Sequence, residues 1–437
     1  MLRKKRDKVE KIDVVIVGGG LSGLACAYKL ADKGLQVIVL ERGDFPGSKN
    51  VTGGRLYLEP IKPMIGDMFS DAPFERKIVR ERWSLFGEEN SLNIDFTGEK
   101  FRKTGHSYSV LRSTFDRWLS EKLIEKGVFV IPKYRVDDLL WEENRVCGIK
   151  SGEEEIPASV VVAADGVLSF IGERAGLKPM MKPKNYAVGI KEVIELTEEK
   201  INDRFNVEKG EGCAHLFIGD VTKGMFGGGF LYTNKETISL GVVIGIKAIM
   251  ERAATVEAHS LIDAFKERYE IKRLLEGGSI VEYSAHVIPE GGYNNISRLY
   301  ADGILVTGDA AGFALNMGVT VRGMEFAIAS GNFAAETILH AFEKGDFSAK
   351  TLCLYEERLR NSFVLKDMYN CKDMPEFLDN DAFFNFYPKY FPLFVEKVMW
   401  FGEGPKEKIG STLWKELKSS GMLSFKRLKE LYSIKNI

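Results

Sequence analysis

Residues 12–42 limit what this chain can fold into more than any other stretch. Ile12-Asp13-Val14-Val15-Ile16-Val17 reads as an apolar, β-branched strand running straight into Gly18-Gly19-Gly20-Leu21-Ser22-Gly23, a Gly-x-Gly-x-x-Gly. A helical run follows, Gly34 stands where it should stop, and a second apolar strand from Gln36 to Leu40 ends in Glu41-Arg42. Strand, glycine turn, helix and strand-end acid in register make a complete dinucleotide-binding βαβ unit. Gly18 allows the tight turn, Gly20 lets backbone approach a pyrophosphate, and Gly23 lets the helix pack on the sheet. The helix N-terminus at Leu21 and Ser22 then offers free N–H groups and a positive dipole end to the phosphates. Glu41 lies 18 residues past Gly23, where a carboxylate accepts from ribose hydroxyls and disfavours a 2′-phosphate. The unit therefore predicts FAD or NAD, and argues against NADP.

The rest of the chain sets bounds. At 437 residues it is long enough for two or three domains with a large core. Its 61 basic and 62 acidic residues nearly cancel, so no bulk attraction to nucleic acid is expected. No apolar run reaches the roughly 18 residues of a membrane-spanning helix. The N-terminus, basic from Arg3 to Lys8, lacks the apolar core of a secretory signal and reads as a solvated end, which predicts a cytoplasmic protein. Cys26, Cys147, Cys213, Cys353 and Cys371 are scattered, with no Cys-x-x-Cys pair. Neither a structural zinc nor a cysteine-ligated cluster is predicted. The five histidines, His106, His215, His259, His286 and His340, show no metal-ligand spacing and receive no role. No catalytic triad or carboxylate pair is evident.

Further along, residues 43–55 are rich in Gly, Ser, Thr and Asn and read as a close-approach loop. A helix is expected from Ser113 to Lys126, a strand from Val128 to Val130, and a strand pair over 134–150 turning at Glu142 to Asn144. Val160 to Ala164 reads as a buried strand stopping at Asp165-Gly166. Residues 185–290 alternate strands and turns, with one helix near 257–268. Ile304 to Thr307 is another buried strand, ending at Gly308-Asp309, and a long helix runs from about Arg322 to Phe342. The C-terminal part, from about 347, reads as helical and unusually aromatic between Phe383 and Phe401. That segment fits either core or a surface that dips into lipid headgroups. Asp165 and Asp309, both at strand ends, suggest an extended ligand reaching past the glycine loop. A flavin dinucleotide is long enough to need them.

These pieces in this order resemble the glutathione-reductase-type flavoproteins of the hydroxylase and geranylgeranyl-reductase superfamily. The stretches Glu41 to Arg55 and Thr307 to Asn316 resemble, more closely, the FixC branch of the electron-transfer-flavoprotein:quinone oxidoreductases. The resemblance implies an α/β fold: an FAD-binding Rossmann domain over 1–80, 111–184 and 291–345, an inserted sheet-rich quinone domain over 81–110 and 185–290, and a helical region over 346–437. It implies an FAD-dependent enzyme passing electrons from a two-subunit electron-transfer flavoprotein to menaquinone or ubiquinone, at the inner face of the cell membrane. Gly18, Gly20, Leu21, Ser22, Gly23, Glu41 and Arg42 would hold the pyrophosphate and ribose. Arg112 would lie near the phosphates and Val136 near the adenine. Asp309, with Gly308 and the pair Asp165-Gly166, would serve the ribityl chain, while Gly53, Gly54 and Asn316 to Gly318 would face the isoalloxazine. Longer relatives of this type carry their own four-cysteine cluster, which this sequence lacks. A separate ferredoxin-like subunit, as in a FixABCX-type complex, bifurcating or not, would fill that place. A prenyl-chain reductase, a flavin monooxygenase and a non-catalytic flavin relay are the alternatives the same motifs leave open.

Overall fold

A computed structural model describes residues 11–49, 54–252 and 255–433. Two large sheets organise it. In the first, the strands Tyr300–Ala301, Ile304–Val306, Glu154–Ala163, Ile12–Val17, Val37–Leu40 and Phe129–Ile131 lie side by side in that order. Ile12–Val17 pairs in parallel with Val37–Leu40 on one side and with Ala158 to Ala163 on the other. Ile304–Val306 then extends the parallel set beyond Val161 to Ala163. Val14, Val15, Ile16, Val160, Val161, Val162 and Ile304 to Val306 are all fully buried, which is why these strands are continuous apolar runs and not alternating ones. The strand expected to begin at Val160 in fact starts at Glu154. Its first half pairs antiparallel with Arg145–Ser151, which forms a hairpin with Asp138–Glu142.

Helices cover this sheet. Leu21–Leu30 packs against the long helix Met324–Lys344, and the contact is close because Gly331 has no side chain. A Cβ there would stand 2.1 Å from the Ser22 carbonyl oxygen. Arg112–Glu125 packs on the other side of Leu21–Leu30, burying Phe115, Leu119 and Leu123.

The second sheet runs Ser279–Pro289, Tyr186–Glu195, Thr237–Gly245, Gly227–Thr233, Glu211–Gly219, Lys77–Phe86, Ser107–Val110 and Gly54–Tyr57, with Ser91–Thr97 hairpinned onto Lys77–Phe86. Two pieces of the sequence reading shift here. Residues 54 and 55, read as loop, already belong to the strand Gly54–Tyr57, and the sheet recruits segments well before residue 81. Both segments are short or heavily charged, so no period-2 apolar signal marks them; pairing with neighbours supplies what local sequence does not. One face of this sheet packs Phe86, Phe217, Leu231 and Leu240 against the helices Glu198–Phe205, Ala258–Glu267 and Tyr269–Leu275, forming a core of its own. Its other face looks onto the first sheet and, with the C-terminal helices, encloses the space between them.

The aromatic C-terminal stretch is part core and part exposed surface. Phe384, Tyr387 and Tyr390 are buried, whereas Met399, Trp400 and Phe401 are 67%, 71% and 74% exposed. Among the described residues no helix is long and apolar enough to cross a membrane.

Candidate functional site

The carboxyl ends of Ile12–Val17, Val37–Leu40, Glu154–Ala163 and Ile304–Val306 all open into one cavity of about 1500 Å³. At its first end the turn Gly18 to Gly20 leads into the helix Leu21–Leu30, whose N-terminus no side chain caps. Gly18 has φ +111°, and a Cβ on it would lie 2.2 Å from the Ala164 carbonyl oxygen, so only glycine makes this turn. Gly20 differs: a Cβ there would meet no protein atom within 4 Å and would project into open space. That gap before uncapped helical N–H groups is the room a pyrophosphate needs. Glu41 sits beside it, its carboxylate accepting from the N–H groups of Gly19 (2.8 Å) and Gly43 (2.6 Å). Arg42, Lys49, Arg112 and Arg135 line the same end, which makes it suited to an anionic group.

Arg112 is anchored from behind. Its Nε and Nη2 donate to the two carboxylate oxygens of Asp116 at 2.8 and 2.6 Å, and Asp116 is fully buried. Farther in stand Asp309 and His286. Burial pushes the Asp309 carboxyl up and the His286 imidazole down, while each charge opposes that effect on the other and Arg112 favours the carboxylate. The two can accept from and donate to ligand hydroxyls.

Of the residues singled out by sequence, Gly18, Gly20, Leu21, Ser22, Glu41, Arg42, Gly54, Arg112, Val136, Asp165, Gly166, Asp309, Asn316 and Gly318 line this one cavity. Gly53 lies outside the described residues. Gly23 and Gly308 act one layer back. A Cβ on Gly23 would meet the Gly18 carbonyl oxygen at 2.2 Å, and one on Gly308 would meet the Ser22 hydroxyl at 2.6 Å, so both set the close packing that carries their neighbours. The Asp165 carboxylate is turned to local use, accepting from the Ile171 N–H (2.9 Å) and the Ser169 hydroxyl (3.2 Å), where it starts the helix Phe170–Arg174. Its neighbourhood to the cavity comes through the turn it forms.

Sequence reasoning missed the far end. There the cavity is walled by Leu216, Ile218, Gly227 to Gly229, Phe230 and Val243 of the second sheet, and by Met374, Leu378, Phe383 and Phe384 of the C-terminal helices. It also missed His286, which lies opposite Gly189 across the strand pair. The run of three glycines was the available signal: glycine inside a strand marks a place where something approaches closely. A Cβ on Gly229 would touch the Phe265 ring at 2.9 Å, and one on Gly228 the Phe217 carbonyl at 2.5 Å. The hairpin Leu315–Asn316 and Val321–Arg322 projects between the two ends, with Asn316 Oδ1 accepting from the Gly318 N–H at 2.9 Å.

A parallel sheet with a glycine turn and strand-end acids at one end, joined to a second sheet over a shared cavity, defines an FAD-dependent oxidoreductase, and residues 13–99 match the family described as FAD dependent oxidoreductase. Residues 186–288 match the family described as ETF-QO, ubiquinone-binding. The chain is 42% identical over 416 residues to the probable electron transfer flavoprotein-quinone oxidoreductase YdiS of Escherichia coli K12, covering 95% of this chain and 96% of that one. It is 40% identical over 390 residues to protein FixC of Rhizobium meliloti, covering 87% and 88%. The protein therefore belongs to the FixC family of electron-transfer-flavoprotein:quinone oxidoreductases, and FAD is its cofactor. The geranylgeranyl bacteriochlorophyll reductase-like protein of Thermoplasma acidophilum shares the fold, with TM-score 0.70 over 97% of this chain and 99% of that one at 22% identity.

Proposed function

We propose that the protein receives electrons from a two-subunit electron-transfer flavoprotein and delivers them to a membrane quinone, as one subunit of a FixABCX-type complex. A ferredoxin-like subunit would supply the iron–sulfur cluster, because the five cysteines of this chain are free and far apart in sequence. One observation carries the reading: the polar end of the cavity, at the Gly18 to Gly20 turn, continues without a break into the apolar end between the second sheet and the C-terminal region. A ring system held at the junction would thus face an apolar guest on its other side.

Bound FAD supplies the redox chemistry, taking up and handing on electrons, so the chain's task is binding, orientation and exclusion of water. Gly18, Gly20 and the N–H groups of Leu21 and Ser22 hold the pyrophosphate, Glu41 the adenosine ribose, and Val136 the adenine edge. Arg112, fixed by Asp116, adds a positive charge at the phosphates. Asp309 and His286 hold the ribityl hydroxyls, and Gly54 with Asn316 to Gly318 flank the ring. The apolar wall admits the quinone head.

The C-terminal region also carries an exposed apolar surface. Met399, Trp400, Phe401 and Trp414 are exposed, with Lys406 over the Phe401 ring at 5.1 Å and Lys418 over the Trp414 ring at 5.1 Å. Aromatic rings interleaved with lysines suit a headgroup region. This face is the proposed contact with the inner face of the cell membrane.

Anaerobic titration of the FAD-loaded protein with reduced electron-transfer flavoprotein, followed by a menaquinone analogue, tests the proposal. The visible FAD band should bleach in the first stage and return in the second. A band unchanged by the flavoprotein, or bleached and not restored by quinone, overturns it.

A further inference from the structure

A second cavity, about 700 Å³, abuts the first. The two share Phe226, Glu290, Asn316, Leu378 and Phe384 in their walls, and of these five only Glu290 is titratable. Its surroundings differ on the two sides. Toward the first cavity stand apolar residues and the Asn316 to Gly318 hairpin. Toward the second stand charged side chains on several elements: Lys182 before the strand Tyr186–Glu195, Lys247 and Arg252 after Thr237–Gly245, and Lys372, Asp373 and Asp381 among the C-terminal helices. All but the half-buried Lys372 are exposed, so this cavity reaches solvent, whereas Glu290 is 8% exposed.

Glu290 is held in place. Its N–H donates to the Asn185 carbonyl at 2.8 Å, and its Oε2 accepts from Asn316 Nδ2 at 3.1 Å. Because Asn316 Oδ1 already accepts from the Gly318 N–H, its amide can present only the N–H₂ to Glu290. From this geometry we infer that Glu290 is the proton relay of the site, passing protons from solvent in the second cavity to the acceptor in the first. The inference rests on the reading that a quinone is that acceptor.

Reducing a quinone to a quinol takes two electrons and two protons. The electrons and one proton come from the reduced cofactor, and an apolar pocket has no second proton of its own to give. Glu290 supplies it: the carboxyl O–H breaks as an O–H bond forms on the quinone oxygen nearest it, and the carboxylate left behind takes a proton from solvent in the second cavity. Burial raises the Glu290 carboxyl from 4.5 to about 7, with the Asn316 hydrogen bond the one influence in the other direction. None of the charged groups that line the first cavity, His286 and Arg322 among them, contributes to that shift; Arg322 is paired with Glu325 and Asp367, both at 2.6 Å. Glu290 is thus both donor and acceptor near neutral pH, as a relay must be.

The test compares two electron acceptors in wild-type protein, Glu290→Gln and Glu290→Asp, each first shown to retain FAD by its visible spectrum. A menaquinone analogue needs protons; ferricenium, a one-electron acceptor, needs none. The ratio of quinone to ferricenium turnover should fall at least about tenfold in Glu290→Gln and recover in Glu290→Asp. The wild-type quinone rate should also fall as pH rises through about 7, a limb that Glu290→Gln should lack. An unchanged ratio, or the same pH limb in Glu290→Gln while wild type reduces quinone, overturns the relay alone. No quinone turnover in wild type overturns the proposed function and the relay with it.

Discussion

Two glycines three residues apart give the sharpest test of how the glycine turn works. Gly20→Ala places a methyl group where no protein atom lies within 4 Å, on backbone with φ −84° and ψ 177° that alanine adopts freely. The apo-protein should lose nothing, and restricting the unfolded chain should stabilise it by about 0.5 kcal/mol. The same methyl stands in the room assigned to the pyrophosphate, so FAD should bind at least about tenfold more weakly, about 1.4 kcal/mol. Gly23→Ala acts the other way round. Its methyl would sit 2.2 Å from the Gly18 carbonyl oxygen and 3.1 Å from Ile16 Cγ2, and backbone must move to admit it. Overpacking of this kind should cost the apo-protein about 3 kcal/mol. FAD affinity measured by flavin fluorescence quenching, beside thermal melts of the apo-proteins, separates the two. If Gly20→Ala binds FAD as wild type does, or melts as early as Gly23→Ala, the assignment of the open space to the cofactor is wrong.

Other consequences follow from the same geometry. Arg112→Ala removes the two-pronged guanidinium contact from the fully buried Asp116 carboxylate, so it should lower stability by about 3 kcal/mol in denaturant unfolding as well as weaken FAD binding. Glu290 has its carboxyl raised in the fold, so the fold prefers it protonated; the stability it contributes is whole below pH 4.5 and is lost as pH rises through about 7. Glu290→Gln should therefore melt later than wild type at pH 8.5 by the equivalent of up to about 3 kcal/mol, with the difference vanishing near pH 4, as read by calorimetry. Trp400→Ser combined with Phe401→Ser alters two exposed side chains and should leave stability within about 0.5 kcal/mol per site, yet abolish sedimentation with vesicles of anionic phospholipid.

The convergence of the glycine turn and strand-end acids on one cavity was legible because its signals are local. A strand, a glycine turn and a strand-end acid within 30 residues report one another, and Asp309 announces itself by following a buried strand. Asp165 shows the limit of that logic: it follows an equally buried strand, but Ser169 and the Ile171 N–H claim its carboxylate, a competition that only the fold of the next turn reveals. The apolar end was not legible, since it is assembled from residues far apart in sequence, Ile218 and Gly228 on the second sheet and Met374 and Leu378 on a helix over 140 residues later. Apolar residues look the same in a core and in a ligand wall. Glu290 was hidden for a related reason, because one buried glutamate after a strand carries no spacing signal, and its meaning lies in the two cavities it separates.

A crystal structure of the protein with FAD and a short-chain quinone shows whether one cavity serves both. The FAD pyrophosphate should lie at Gly20, and the quinone ring between the Gly227 to Gly229 strand and Phe384, within reach of Glu290. A quinone bound outside that cavity, or FAD lying across its apolar end, would contradict this arrangement.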